Sequence, residues 1–518
     1  MFQDLRTRVG VLGAIVIVFV VCLPAWWATT TIERLPLPEA RVAEWAAHPC
    51  PTHLAAHVNV SLDADVPGDA ALCAAAQAHL AALADGLCIE WGVTAVRAGA
   101  PVCTARGTPA VSFPLTLHTR PSESRDASAV VPRDADTEAL AATIAAHAAP
   151  FVGRAPGAVA RDARNSATRA IQFVPRVRLV FSLLNEDAAA GGAVAGWDLG
   201  ETLEAYTRGT LAPDSAFAPL AQVLDQMRAI YTFELESQVQ WYAPLEIDLD
   251  ARMNGTSPVL SMDDVRVFID SEHWSLESYG AAGSGAEPVR ERHSEHTLHF
   301  VLFLPSTPHA PLRLRDDRGA LITNPSWLVP QWGGVVVGNS STGLGAPLTT
   351  HELAVPLERF ARQLALLLGA EPHTLGAQTP ELRRMAVRGL QWRRTLEASR
   401  SAVETLSSIV LLVQKITILG VSESVRDNVE HALNRLSALQ HRSVSMDAML
   451  RYAGEAQTLA SRAFFDPSML AMLYFPDEHK YAVYTPLFGP VLVPLAAAAM
   501  RVVRAWKAQR AGTPAKAT

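Results

Sequence analysis

Thr297-Leu-His-Phe-Val-Leu-Phe-Leu304 is the most strand-like stretch of the chain. An apolar run this short has the length of a buried strand rather than of a core helix. The pattern continues outward from it. Leu312 to Leu321 reads as a hairpin turning at Asp316-Asp317-Arg318-Gly319, and Gly333 to Val337 as a further strand. Upstream, Tyr231 to Trp241 alternates, with Tyr231, Phe233 and Leu235 on one face and Glu234 and Glu236 on the other. Val177 to Leu184 is another apolar run. Helical patterns intervene at 199–207, 216–229 and 352–368. In the last, Leu357, Phe360, Ala361, Leu364, Leu367 and Leu368 make one apolar stripe, and Gly369 ends it. Strands interleaved with helices predict a mixed α/β layer structure.

The pattern changes from Thr379 to Ala463. Leu396, Val403, Leu406, Val410 and Val413 recur at helical spacing, as do Val425, Val429, Ala432, Leu433, Leu436 and Leu439. Met446, Met449, Leu450, Ala453, Leu459 and Ala460 form a third stripe, so a helical hairpin bundle is expected. Before the α/β region, residues 33–130 hold a helix-like run, Ala70 to Ala84, and a short strand, Ala110 to Leu117. A helix is expected over 134–150.

Both ends of the chain are apolar. Val9 to Ile32 carries no charge; its 24 residues make about 36 Å of helix, enough for a bilayer core of about 30 Å. The bulky pair Trp26-Trp27 suits the headgroup level and sits where a signal-peptide cut would need small residues, which favours an uncleaved anchor. Tyr481 to Met500 is a second charge-free run, followed by Arg501, Arg504, Lys507, Arg510 and Lys516 with no acidic residue. Excess Lys and Arg mark the cytosolic side, here and at Arg6 and Arg8, so both tails are expected in the cytosol and the middle in a lumen. Pro486, Pro490 and Pro494 imply either a kinked solitary span or one docked on partner helices.

The expected organisation is a cytosolic N-terminus (1–8), transmembrane helix 1 (9–32), a Cys-containing luminal segment (33–165) and a luminal α/β domain (166–378). A luminal helical hairpin bundle (379–476), transmembrane helix 2 (481–503) and a basic cytosolic tail (504–518) follow. The whole is a mixed α/β luminal domain with a C-terminal helical bundle, flanked by two transmembrane helices.

Composition excludes several classes. Of 518 residues, 49% are hydrophobic and only 18% charged, which is the reverse of a disordered chain. A net charge of −7 leaves no global basic field for nucleic acid. Five Cys are too few for a disulfide-dense scaffold. Four of them, Cys50, Cys73, Cys88 and Cys103, cluster within the first luminal segment. They read as two disulfides with three possible pairings, since zinc would call for CxxC spacing that is absent. Asn59-Val-Ser61, Asn254-Gly-Thr256 and Asn339-Ser-Ser341 are N-glycosylation acceptor triplets.

Catalytic motifs are sparse. There is no GxSxG elbow and no HExxH helix. His293 and His296 flank a carboxylate within a charged stretch that reads as a solvated loop. Asp63-Ala-Asp65, Asp134-Ala-Asp136 and Asp248-Leu-Asp250 have the DxD form by which a glycosyltransferase holds a divalent ion. A membrane-tethered luminal glycosyltransferase is therefore the alternative function, with chance recurrence among 51 acidic residues as the plainer account. Gly333-Gly334 is too short to cradle a phosphate and suits close backbone approach at a strand. The segment Phe464-Phe465-Asp466-Pro467 to Tyr474-Phe475-Pro476 is dense in apolar surface next to the second span, either bundle core or subunit interface.

Four stretches resemble the PIG-S family, a non-catalytic subunit of the GPI transamidase complex of the endoplasmic reticulum. They are Leu23-Pro-Ala-Trp26-Trp27-Ala-Thr-Thr30, Phe181-Ser-Leu-Leu-Asn185 with Trp197-Asp198, and Pro330-Gln-Trp332-Gly333-Gly334 with Asn339. The fourth is Ala463-Phe-Phe-Asp-Pro-Ser-Met-Leu470 with Leu473-Tyr-Phe-Pro-Asp477 and Tyr481 to Pro494. The likeness is good from about 170 to 500 and poor from about 35 to 165, where the four-Cys cluster is not matched to the family pattern. The resemblance implies a scaffold subunit supporting attachment of GPI anchors to precursor C-termini. Its partners would be a caspase-like catalytic subunit, a PIG-T-like luminal subunit, multi-span membrane subunits and membrane lipid, with no nucleic acid. It implies no catalytic residue, cofactor or metal. Trp26, Trp27, Trp332, Gly333, Gly334, Phe464, Phe465, Asp466, Pro467, Tyr474, Phe475 and Pro476 become the interface candidates. The protein is expected in the endoplasmic reticulum membrane, with two spans, the bulk of the chain luminal and both termini cytosolic.

Overall fold

The computed structural model describes residues 34–66, 70–84, 86–97, 99–105, 109–119, 128–132, 134–153, 170–186, 199–243, 245, 247–255, 257–268, 295–339, 350–370, 380–416, 419–441, 444–471 and 493–504, with 10, 13–15, 17, 18, 21, 486, 490, 506 and 507. Contacts divide the chain into two compact units. One comprises Ala47–Val403 and Ala432–Thr458; the other comprises Met1–Ala46, Glu404–His431 and Leu459–Thr518.

Helix α1 (Glu39–Ala47) leads into strand β1 (Leu54–Leu62), where Leu54, Ala56, Val58, Val60 and Leu62 are buried while Asn59 and Ser61 face out. Helix α2 (Ala70–Leu83) crosses back to β2 (Ile89–Arg97), which runs parallel to β1 with Val58 opposite Val93. A hairpin adds β3 (Ala100–Cys103), and β4 (Val111–His118) and β5 (Ser128–Val130) extend the other side in parallel. The order is β3-β2-β1-β4-β5. Pro114 is tolerated inside β4 because β5 pairs only with Thr116, Leu117 and His118, leaving no ladder bond for Pro114 to break on that side. Helix α3 (Thr137–Val152), capped by Asp136, packs on the apolar face. Its Phe151 meets Phe113 at 4.8 Å and Trp91 edge-on at 6.0 Å. The four-Cys segment, whose fold the sequence left open, is thus an α/β layer of its own.

The second sheet starts with β6 (Arg176–Asn185). Helices α4 (Leu199–Arg208) and α5 (Ala218–Met227) follow, then β7 (Thr232–Trp241). The chain next builds β8 (Met253–Asn254) and β9 (Ser257–Leu260) and returns as β10 (Glu295–Leu304) on the far side of β6. The expected hairpin is present as β11 (Arg313–Arg315) and β12 (Leu321–Ile322), with Asp316 Oδ1 accepting the Arg318 and Ala320 amides. Strands β13 (Ser326–Val329) and β14 (Gly333–Val337) complete the order β13-β14-β10-β6-β7. Helix α6 (Thr350–Leu367) covers one face, where Phe360 abuts Phe300 at 5.4 Å and Phe300 stacks on Phe181 at 5.3 Å. The other face carries the small β8, β9, β11, β12 layer over a core of Phe303, Phe268, Leu260, Leu312 and Val335.

Helix α7 (Pro380–Lys415) is 36 residues long, about 54 Å at 1.5 Å per residue. Helices α8 (Glu423–Ala438), α9 (Met446–Phe464) and the short α10 (Pro467–Ala471) follow, giving the expected mixed α/β fold with a helical C-terminal region. Up to Val403, α7 belongs to the same unit as both sheets. The contact division falls within α7, between Val403 and Glu404, and α7 buries polar Gln391, Arg394, Thr395 and Ser399 as well as its apolar stripe.

In the smaller unit the chain near its N-terminus is tied to the end of α7 and to the turn that follows it. Leu35 donates its amide to Val421 O at 3.1 Å, Arg34 Nη2 reaches Val413 O at 2.7 Å, and Gln414 meets Glu39 at 2.8 Å. Among the described residues no helix is long and apolar enough to cross a membrane. Most of Val9–Ile32 and half of Tyr481–Met500 lie outside those residues.

Candidate functional site

In a sheet whose first strand has neighbours added on both sides, ligands favour the carboxyl ends of the strands at that switch point. Here β7 joins one side of β6 and β10 the other, so the switch point lies between β6 and β10. Glu186 follows β6; Ser306 and His309 follow β10. Glu186 Oε1 lies 2.6 Å from His309 Nδ1, and Glu186 Oε2 accepts the Ser306 amide at 2.7 Å. Ser306 Oγ is 3.1 Å from the same Nδ1, and His309 Nε2 is 3.3 Å from Asp250 Oδ1.

The composition is that of a Ser/His/carboxylate triad, but the geometry is not. A nucleophilic hydroxyl must be open and must own the nitrogen that takes its proton. Ser306 is 5% exposed, and Glu186 holds the same nitrogen at shorter range. The cluster instead ties the two strand ends together. Sequence reading passed over it, since its members are scattered over 124 positions; the usable signal was polar residues directly after two buried strands.

A groove of about 1120 Å³ runs between α4 and the outer edge of β7, floored by Leu203, Tyr206, Phe233 and Leu235. Several of its ionisable groups are already engaged. The Tyr206 hydroxyl donates to Asp225 at 2.9 Å, and burial, aided by that bond, pushes it up to about 12. Arg228 lies 4.8 Å over the Tyr206 ring, and Arg208 pairs with Glu204 at 3.5 Å.

The Pro330-Gln-Trp-Gly-Gly334 stretch is a close-packed turn. Gln331 adopts φ 63° and Gly333 φ 150°. A Cβ at Gly333 would run into the His299 carbonyl, and one at Gly334 into the Gln363 amide. The two glycines let β14 lie against β10 and α6. Trp332 stacks on His299 with centroids 5.4 Å apart. Burial, with Arg178 and His296 nearby, lowers the His299 pKa. Gln363, 7% exposed, donates to Trp327 O at 2.9 Å.

Asp466 and Pro467 form a helix start. Asp466 Oδ1 accepts the Ser468 amide at 2.9 Å and hydroxyl at 2.7 Å, and Pro467 occupies the first helical position, where no amide is needed. With the Ser468 proton on Asp466, the Ser422 hydroxyl donates to Ser468 Oγ, 3.0 Å away. The chain after the first apolar stretch and the chain before the second are therefore anchored at consecutive residues, Val421 and Ser422. The Phe464 ring meets Phe465 edge-on at 5.1 Å, and Phe465 is 48% exposed. Trp26, Trp27, Trp197, Asp198, Tyr474, Phe475 and Pro476 lie outside the described residues.

The four Cys pair as Cys50–Cys88 and Cys73–Cys103, with Cα separations of 5.8 and 6.6 Å. The first bridges the entries to β1 and β2; the second joins α2 to the end of β3. The DxD triplets hold local structure. Asp136 caps α3 through the Ala139 amide at 2.7 Å, Asp248 accepts the Ala251 amide at 3.1 Å, and Asp63 pairs with His118 at 2.8 Å. His296 Nε2 lies 2.6 Å from Gln331 O, and His293 lies outside the described residues. Among the described residues, no three His, Cys, Asp or Glu side chains gather as a metal site.

Comparison with known proteins adds what the geometry does not. The family described as phosphatidylinositol-glycan biosynthesis class S protein (PIG-S) matches residues 13–509, the four-Cys layer included. The GPI-anchor transamidase component PIGS of Rattus norvegicus is 29% identical over 356 residues, 64% of this chain and 58% of the relative. That of Homo sapiens is 29% identical over 336 residues, 61% of this chain and 55% of the relative. The GPI transamidase component GPI17 of Saccharomyces cerevisiae is 26% identical over 338 residues, 62% and 57% respectively. The matched region thus spans less than two thirds of each relative's length.

Proposed function

The chain belongs to the phosphatidylinositol-glycan biosynthesis class S family, and from that premise we propose that it is a non-catalytic subunit of a GPI transamidase. In this reading it supports the attachment of GPI anchors to the C-termini of precursor proteins in the endoplasmic reticulum. A caspase-like subunit carries out the cleavage, and a PIG-T-like luminal subunit and multi-span membrane subunits complete the assembly.

The observation that carries the reading is the reach of the family match, from inside the first apolar stretch, through both sheets and the helices, to beyond the second. The names of the relatives, each a component of a transamidase, agree with it. Two membrane spans with both tails cytosolic follow from the charge-free runs and their basic flanks. The shared anchorage of Leu35 and Ser468 at Val421-Ser422 supports this topology, since it holds the chain near the two apolar stretches to one place in the smaller unit. The glycosyltransferase alternative has no such support, because each DxD triplet has an Asp already committed to a cap, a turn or a histidine.

The test is capture of the tagged full chain in mild detergent, together with its deletion in cells. Co-purification of a caspase-like subunit and loss of GPI-anchored surface proteins are expected. Capture without that subunit, with surface display unchanged on deletion, would leave an adhesion or chaperone module that borrows membrane tethers.

A further inference from the structure

We propose that the fold itself selects among the acceptor triplets: Asn59 carries an N-linked glycan, and Asn339 is a structural pin that carries none. The inference rests on the luminal placement put forward above and adds to it a modification site.

N-glycosylation joins the Asn amide nitrogen to the anomeric carbon of a lipid-diphosphate-linked oligosaccharide. The new N–C bond forms as the C–O bond to the diphosphate breaks. The diphosphate leaves with the electron pair, and the nitrogen gives up one proton. A glycosylated Asn therefore keeps one N–H instead of two, and the folded protein must give the sugar open solvent.

Asn339 meets neither demand. Its Nδ2 donates to Leu312 O at 3.0 Å and to Thr323 O, and lies 3.2 Å from Asn324 Oδ1. Its Oδ1 accepts the Leu312 amide at 2.9 Å. One side chain thus laces the end of β14 to the segment before β11 and to the turn before β13. Leu312 is fully buried. A sugar on Nδ2 would remove a donor and wedge a ring between Leu312 and Thr323.

Asn59 meets both. It lies in the middle of β1, exposed, and its side chain makes no hydrogen bond among the described residues. Ser61, the hydroxyl of the triplet, projects from the same face, since strand side chains alternate. Thr94 and Pro114 flank Asn59 in the two neighbouring strands. Parallel sheets are ordinarily covered on both faces. This one has α3 on its apolar face, while Asn59, Ser61, Ser112 and Pro114 stand exposed on the other. A glycan at Asn59 would cover that face.

The experiment maps site occupancy on the full chain isolated from membranes with its complex, using enzymatic deglycosylation in heavy-oxygen water and mass spectrometry of the Asn-to-Asp conversions. Gel mobility of Asn59→Gln and Asn339→Gln is read in parallel. Conversion at Asn59, none at Asn339, and a one-glycan mobility shift in Asn59→Gln alone are expected. Sugar at Asn339, or an unmodified Asn59, overturns the proposal. Protease digestion of sealed microsomes separates the two readings. If the region between the apolar stretches is protected and Asn59 is bare, the glycan proposal fails alone. If that region is digested from outside, the luminal placement fails and the glycan proposal with it.

Discussion

Trp392 Nε1 donates a hydrogen bond to the Leu87 carbonyl at 2.8 Å, across 305 positions of sequence. Helix α7 holds the first layer at two more points. Arg393 Nη1 donates to Val152 O at 2.7 Å, and Arg400 Nη2 to Gly86 O at 3.0 Å. Arg394 holds the second layer, donating to Ile171 O at 3.0 Å and to Leu368 O at 2.9 Å. Within the larger unit, α7 is the element that both layers share, and its polar residues at these points bond backbone carbonyls at the ends of the layers' own elements.

Replacing Trp392 with Phe keeps an aromatic ring but leaves the Leu87 carbonyl without this donor, at a cost of about 1–3 kcal/mol. Arg394→Met removes the donors to two buried carbonyls, while Glu397 keeps the Phe173 amide, so about 1–3 kcal/mol for each carbonyl is expected. Thermal unfolding of the purified chain should rank wild type above Trp392→Phe above Arg394→Met. Equal melting temperatures would mean that α7 does not hold the layers together.

A helix of this kind resists sequence reading. The stripe of α6 is legible because its apolar and polar faces are distinct. In α7 the buried face includes Gln391, Arg394, Thr395 and Ser399, so periodicity understates how much of it is interior. The same holds for β1 and β2. Leu54-Ala-Ala-His-Val-Asn-Val-Ser-Leu62 is rich in Ala and polar residues, of modest strand propensity, and pairing on both sides makes it a strand. By contrast β6, β10 and β14 were legible, since continuous apolar runs leave little else for them to be. The Glu186–Ser306–His309 cluster was not, because proximity across a parallel sheet leaves no trace in local spacing.

Gly333 and Gly209 make a controlled pair. Both have positive φ, 150° and 71°, but a Cβ at Gly209 meets open space while one at Gly333 meets the His299 carbonyl. Gly209→Ala should cost only backbone strain, about 1–2 kcal/mol. Gly333→Ala adds a steric clash with β10 and should lose several times more, or fail to fold. Comparable losses in denaturant unfolding would show that β14 can move away from β10 without cost.

Peptide mapping without reduction should yield Cys50 joined to Cys88 and Cys73 joined to Cys103. The bridges close separations of 38 and 30 residues, so removing either should cost about 2–4 kcal/mol through the unfolded chain. The double variant Cys50→Ser, Cys88→Ser tests the first alone. Recovery of a Cys50–Cys73 peptide would rule out this arrangement of β1, α2 and β2.

The histidines set a direction for pH dependence. Burial lowers the pKa of His57, His147 and His299 below 6.5; at His299 Arg178 and His296 add to it, and at His147 a bond to the Pro114 backbone works the other way. Below about pH 6.5 the unfolded chain then binds more protons than the folded one. The stability is whole above that point and is lost as pH falls from it toward the folded values. Asp264 does not confuse the window. Burial pushes its carboxyl up, but the Ser261 amide and hydroxyl and Arg252 outweigh that and hold it below 3.8, so its contribution is lost only in stronger acid. Melting temperature should therefore drop between about pH 7.5 and about pH 5.5, and His299→Gln should drop less than wild type, because one of the three protonations is gone. An identical drop in the variant would show that the His299–Trp332 stack admits the charged ring as readily as water does.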